Sequence, residues 1–208
     1  MKSYKQFCSV ARALDAIGDR WALLVVRELL LGPRRYTDLL SGLPGVGTNV
    51  LSTRLRELEA AGIVRRGQLP APTAVAVYEL TDDGLALRPV VDSLARWGTR
   101  RLTSPTSTDV VQPRWLVTSL AAALDPGMFD GGSTVGVRID GDAFALTWHQ
   151  GDLSVTHGEA ERSAATLRGS MAAFFETAKG RGRRPRIEVD GDPKVGRQVL
   201  DAIAGCMR

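Results

Sequence analysis

The side chains best placed to do chemistry lie in TNVLSTRLRELEAAGIVRR, Thr48 to Arg66. Thr48, Asn49, Ser52, Thr53 and Arg56 come first, and Arg65 and Arg66 follow. These residue types suit nucleic-acid recognition. Asn and Arg make bidentate contacts to base edges, small hydroxyl residues permit close approach, and arginines beyond them can reach backbone phosphates. Viewed alone, the stretch also fits an ordinary solvated amphipathic helix. No comparable set suggests catalysis. No Ser or Cys sits in a nucleophile motif. The run GVGTN is no dinucleotide fingerprint, since no strand precedes it and its third glycine is missing. His149 and His157, the only histidines, fall near the ends of two expected strands with no Cys close by. Solvated strand-end residues account for them better than a metal site does. The chain is therefore expected to be no enzyme and to need no cofactor.

The elements that position these residues follow from periodicity. Leu51, Leu55 and Leu58 form one stripe of a helix, which places Asn49, Thr53 and Arg56 opposite and Ser52 at the edge. Thr48 is expected to cap this helix, Gly62 to end it, and Ile63-Val64 to begin a strand. Upstream, a short helix from Tyr36 to about Ser41 and a Gly-Pro-Gly-rich turn complete a helix-turn-helix pattern. Downstream, IVRRGQLPAP and VAVYELT read as a β-hairpin, in the place of a wing. Before all of these lies a helix from Val10 to Ile17. Asp19 then caps an apolar core helix, RWALLVVRELLLG, anchored by Trp21 and ended by Gly32-Pro33. After the hairpin, TDDGLALRPVVDSLARWGTRRL reads as one helix capped by Thr81 or Asp82. Its stripe of Leu87, Val90, Val91, Leu94 and Trp97 either packs on its own domain or meets a second copy through Val90, Leu94 and Trp97.

A length of 208 residues suits two domains, and 44% hydrophobic residues suffice for buried cores. The opening MKSYKQFCSV has no signal-peptide core and no apolar run is long enough for a membrane span, so a soluble cytoplasmic protein is expected. Cys8 and Cys206 stand near opposite ends without metal or disulfide spacing. Residues 1–104 carry 15 Lys and Arg against 10 Asp and Glu, and residues 105–208 carry 12 against 13, so the net +4 belongs to the first half. That asymmetry is consistent with a phosphate-binding surface there. The expected organisation is a DNA-binding and dimerisation domain at 1–102, a Ser/Thr/Pro-rich linker at 103–112, and a smaller α+β domain at 113–208. In the last of these, RWLVTSLAAALDPGMF reads as a helix and STVGVRIDGDAFALTWHQGDLSVTHGE as a three-stranded meander. AATLRGS and RPRIEVDGD add strands, MAAFFETAKG and PKVGRQVLDAIAG add helices, and the sheet should be mainly antiparallel with helices on one face. GRGRRPR (Gly180–Arg186) is a basic turn, read as a solvated loop or as a nucleic-acid contact.

The order of Cys8, IGDRW, RRYTDLL, TNVLSTRLRELE and YELTDDG resembles the HxlR-type winged helix-turn-helix transcriptional regulators over about residues 7–101. The resemblance implies a bacterial homodimer on a palindromic operator. Thr48, Asn49, Ser52, Thr53 and Arg56 then match the recognition-helix face, and Arg65 and Arg66 the base of the wing. Some members of the family use the N-terminal cysteine as a thiol sensor, which implies a redox role for Cys8. Ser9 stands where the family usually has proline. With no cationic cluster beside it to lower its pKa, Cys8 reads better as a small buried packing residue. Residues 113–204, through the V-x-G-D-P turn at Val189–Pro193 and the element layout, resemble the sterol-carrier-protein-like fold. That resemblance implies a cavity for a small apolar effector. Its candidate lining is Trp115, Leu116, Met128, Phe129, Phe144, Trp148, Phe174 and Phe175, each of which also reads as plain core. Two functions follow: a homodimeric DNA-binding regulator, or a hydrophobic-metabolite carrier whose winged domain makes protein contacts.

Overall fold

A computed structural model describes residues 3–70, 74–99, 101–102, 105–129, 131–180 and 187–206. The chain divides into two compact units, Met1–Val91 and Asp92–Arg208, and the division falls inside one helix. The first unit runs α1 (Ser9–Ile17), α2 (Ala22–Leu29), α3 (Tyr36–Gly42), α4 (Thr48–Ala60), β1 (Val64–Gln68), β2 (Ala76–Leu80) and α5 (Asp82–Leu85). It ends within α6 (Arg88–Thr99). Val25, Val26 and Leu29 of α2, Leu39 of α3, and Leu51, Leu55 and Leu58 of α4 form one aliphatic cluster with Ile63, Val64, Leu80 and Val91. The leucine stripe of α4 thus sits where its period placed it.

Several local expectations are corrected. Gly47, not Thr48, is the N-cap of α4: its extended backbone presents the carbonyl that accepts the Leu51 amide at 2.9 Å, which leaves Thr48 as the first helical residue. Asp19 does not cap α2 with its side chain. Its carboxylate lies 2.7 Å from Arg54 Nη1, and Trp21, in the left-handed region at φ 79°, precedes the helix. Trp21 packs half-buried at the core's margin, while Leu24 faces solvent. The expected single helix after the wing is two, α5 and α6. Pro89 lacks an amide hydrogen and its ring would clash with the carbonyl of Leu85, so it is tolerated only in the first turn of a new helix. Thr81 caps α5 by accepting the Gly84 amide.

The second unit continues with α7 (Pro113–Ala123), β3 (Ser133–Ile139), β4 (Asp142–His149), β5 (Asp152–His157), β6 (Ala165–Gly169), α8 (Met171–Ala178), β7 (Glu188–Gly191) and α9 (Pro193–Ile203). Its sheet has the order β5-β4-β3-β6-β7, antiparallel throughout except for the parallel pair β3 and β6. Burial alternates along the strands. Val135, Val137, Ile139, Phe144, Leu146, Trp148, Leu153, Val155 and Leu167 point inward, whereas Thr134, Thr147, Ser154 and Thr166 belong to the opposite, more exposed face. Helix α7 packs along β4 and β5, and α9 along β6 and β7. Asp192 accepts the Lys194 and Val195 amides and Pro193 follows it, so the V-x-G-D-P turn is the N-terminal cap of α9.

Register pairs His149 with Asp152 and His157 with Phe144, so the two histidines occupy opposite ends of the ladder rather than facing one another. Among the described residues no cluster of His, Cys, Asp and Glu could hold a metal ion, and no helix is long and apolar enough to cross a membrane. Residues 105–112 form neither helix nor strand. Arg181–Arg186 of the basic turn lie outside the described residues.

Candidate nucleic-acid interface

Helix α4 separates its two faces cleanly. Leu51, Leu55 and Leu58 are fully buried, and Thr48, Asn49, Ser52, Thr53 and Arg56 are all exposed. The Arg56 guanidinium folds along its own helix: Nη2 donates to Thr53 Oγ1 at 3.2 Å and Nε to the Ser52 carbonyl at 3.4 Å. Thr53, Arg56, Glu57 and Ala60 line a shallow hollow of about 320 Å³ along this flank. The start of α4 is pinned from α3. Tyr36 Oη donates to the Thr48 carbonyl at 2.8 Å and lies 3.2 Å from Ser52 Oγ. A partly exposed phenol therefore stands among the predicted base-reading residues.

The wing is the antiparallel pair β1 and β2, with Arg65 opposite Glu79 and Arg66 opposite Tyr78. Arg65 Nε donates to Glu79 Oε1 at 2.8 Å and Arg66 Nε to Glu59 Oε1 at 3.0 Å. The Arg66 guanidinium also lies over the Tyr78 ring, 5.6 Å from its centroid. The bond to Glu59, followed by the nearby Tyr78 and the Glu59 charge, raises the Arg66 pKa above its ordinary value. Both arginines stay largely exposed, and as neighbours in one strand they leave opposite faces of the hairpin, Arg66 toward Glu59 of α4 and Arg65 toward Glu79.

A buried carboxylate ties these parts together. Glu28 of α2 is only 1% exposed and accepts from Arg27 Nη2 and Arg34 Nη1, each at 2.8 Å. Arg34 Nη2 continues to the Asp38 carbonyl in α3, and the Arg34 backbone exchanges two hydrogen bonds with Tyr78 of β2. One residue, Arg34, thereby links α2, α3 and the wing. Sequence reasoning missed Glu28, Arg34 and Tyr36. The available signal was a carboxylate three residues after Val25, in register with the apolar stripe of α2, where a lone charge demands a partner.

The remaining candidates belong to other elements of the chain. Val90, Leu94 and Trp97 of α6 are 42%, 45% and 52% exposed, while Val91 of the same stripe is buried. Arg101 stacks over Trp97 with its guanidinium carbon 3.6 Å from the ring centroid. Cys8 is exposed, which corrects the buried reading: it is the N-cap residue of α1, and its carbonyl rather than its thiol serves the helix. Cys206 is half-buried, and desolvation pushes its thiol up. In the second unit Leu116, Phe144, Trp148 and Phe174 are buried, and Trp115, Met128, Phe129 and Phe175 are half-buried. Trp148 donates its indole N–H to the Asp125 carbonyl at 3.0 Å and meets Phe129 edge to face at 4.9 Å.

Two helices joined by a tight turn, the second presenting a polar face, with a two-stranded wing behind them, define a winged helix-turn-helix. Residues 16–105 match the HxlR-like helix-turn-helix family. The chain is 39% identical over 88 residues to the HTH-type transcriptional regulator YvaP of Bacillus subtilis, a match spanning 42% of this chain and 82% of that relative. It therefore belongs to the HxlR-like helix-turn-helix family of DNA-binding transcriptional regulators. The HTH-type transcriptional regulator YodB of the same organism is 34% identical over 85 residues, covering 41% of this chain and 76% of YodB. Among solved structures, the redox regulator HypR in its reduced form is 32% identical and covers 44% of this chain and 90% of its own, with a TM-score of 0.40. Residues 106–208 lie outside the family match.

Proposed function

We propose that the chain is a homodimeric regulator, not an enzyme, that binds a palindromic operator. Thr48, Asn49, Ser52, Thr53 and Arg56 read base edges, and Arg65 and Arg66 grip phosphate. The observation that carries this is the complete split of α4, with every leucine of its stripe buried and every polar candidate exposed. Dimerisation is supported by the row Val90, Leu94 and Trp97, which leaves large apolar side chains in water and which a second copy would cover. A twofold pair would also present two recognition helices to two half-sites. Titration of selected operator DNA across a salt series is the test, because phosphate contacts make log affinity fall steeply with log salt. Replacing Leu94 and Trp97 by glutamate should give folded monomers that have lost operator binding. A double variant that sediments as a dimer moves the interface elsewhere.

We further propose that residues 113–208 form a sterol-carrier-protein-like domain that binds a small apolar effector. Supporting this are the helices laid on one apolar sheet face and the aromatic interior around Phe144, Trp148 and Phe174. Half-buried Trp115, Met128, Phe129 and Phe175 are the side chains such a molecule meets first. An effector regulates only if it binds the DNA-competent and incompetent states unequally. Thermal-shift screening of hydrophobic metabolites, followed by DNA titration with each hit, separates the sensor from a carrier: a hit that leaves operator affinity unchanged makes the domain a carrier.

A further inference from the structure

The arginines of the interface are held in two different ways. Arg56 on α4 is bonded by neutral oxygens of Ser52 and Thr53, whereas Arg65 and Arg66 on β1 are each bonded by a carboxylate. Neither carboxylate is placed casually. Glu79 stands directly across the ladder from Arg65, and a Cβ at Gly67 would fall 2.9 Å from Glu79 Oε1, so glycine leaves room for the carboxylate there. Glu59 leaves the last turn of α4 to reach Arg66, whose other side rests on the Tyr78 ring. In both pairs the carboxylate takes Nε. This occupies one of the edges through which a guanidinium grips phosphate bidentately, and it puts a negative charge about 3 Å from the group that DNA must approach.

We propose that Glu59 and Glu79 are built-in brakes on the wing: they compete with DNA phosphate for Arg66 and Arg65 and hold sequence-independent affinity below what those arginines alone would give. This rests on the DNA-binding function proposed above. Phosphate contacts carry no sequence information, so damping them leaves discrimination to the α4 face. Because both pairs are exposed, the release of each is worth a small factor, about two- to fivefold in affinity.

The test uses the full-length chain and two DNAs, a selected operator and a scrambled duplex, at one low salt concentration. E59Q and E79Q keep the side-chain shape while removing the competing charge. Each should tighten binding to both DNAs about two- to fivefold. In an Arg66→Ala background the gain from E59Q should disappear, since no arginine is left to release. A gain of equal size in that background shows Glu59 acting only as a general negative charge, and overturns the proposal. Unchanged or weaker binding by E59Q and E79Q also overturns it, the weaker result making the carboxylates supports that orient the arginines. Wild-type protein without salt-dependent DNA binding would instead remove the underlying function.

Discussion

The two units use their aromatic residues in opposite ways. In the first, the fully buried cluster is aliphatic, and Trp21, Tyr36 and Tyr78 sit at its margin. There each also meets a polar or charged group. Tyr36 binds the start of α4, Tyr78 underlies Arg66, and Arg20 lies over Trp21. In the second, Phe144, Trp148 and Phe174 are wholly inside, between sheet and helices. Short helices crossing at close range are filled well by Leu, Val and Ala, which leaves the amphipathic aromatics at the margin, where their polar atoms and ring faces meet polar or charged groups. A sheet covered by helices encloses a thicker interior, and large rings fill it.

The strongest way to break this comparison is Trp148→Ala. If the ring is packed as closely as its burial indicates, the second unit should lose about 3–5 kcal/mol in urea denaturation. A loss below about 1 kcal/mol would mean that the interior already tolerates empty space, the condition a ligand cavity needs. Next in size is Glu28→Ala in the first unit. Two arginines would lose the buried carboxylate that joins α2, α3 and the wing, at a cost of about 3 kcal/mol in stability. Glu28→Gln, which keeps hydrogen-bonding capacity, should recover part of that loss.

Smaller effects separate functions within the first unit. Asn49→Ala and Arg56→Ala should each weaken operator binding by about 1–3 kcal/mol and relax base preference, with thermal stability unchanged. Arg66→Ala should weaken operator and scrambled DNA alike and flatten the salt dependence. If all three variants behave the same, the division between a base-reading helix and a phosphate-gripping wing is wrong. The smallest change is Tyr36→Phe, which removes only the phenol oxygen bonded to the Thr48 carbonyl and near Ser52. A loss of about 1 kcal/mol in operator affinity is expected, with the fold intact by circular dichroism. No change would make Tyr36 a packing residue only.

Much of this architecture was written in local pattern. The spacing of Leu51, Leu55 and Leu58 determined which side of α4 is buried, and so which side carries Asn49, Thr53 and Arg56. The alternation in STVGVRI and DAFALTWH likewise determined the inward face of β3 and β4. Such periods are legible because side-chain direction repeats every 3.6 residues in a helix and every two in a strand. Tertiary structure decided what depends on distant partners. Asp19 has the chemistry to cap α2, but Arg54, far along the chain, claims its carboxylate. Thr48 is equally suited to cap α4, yet Gly47 in extended backbone takes that place. The parallel pairing of β3 with β6 and the burial of Glu28 between two arginines have no local signature of their own. The pairing of Arg65 and Arg66 with carboxylates could not be foreseen either, since composition shows only a basic run there. Periodicity constrains one element at a time, whereas a buried charge, a strand partner or a competing carboxylate exists only once separate elements meet.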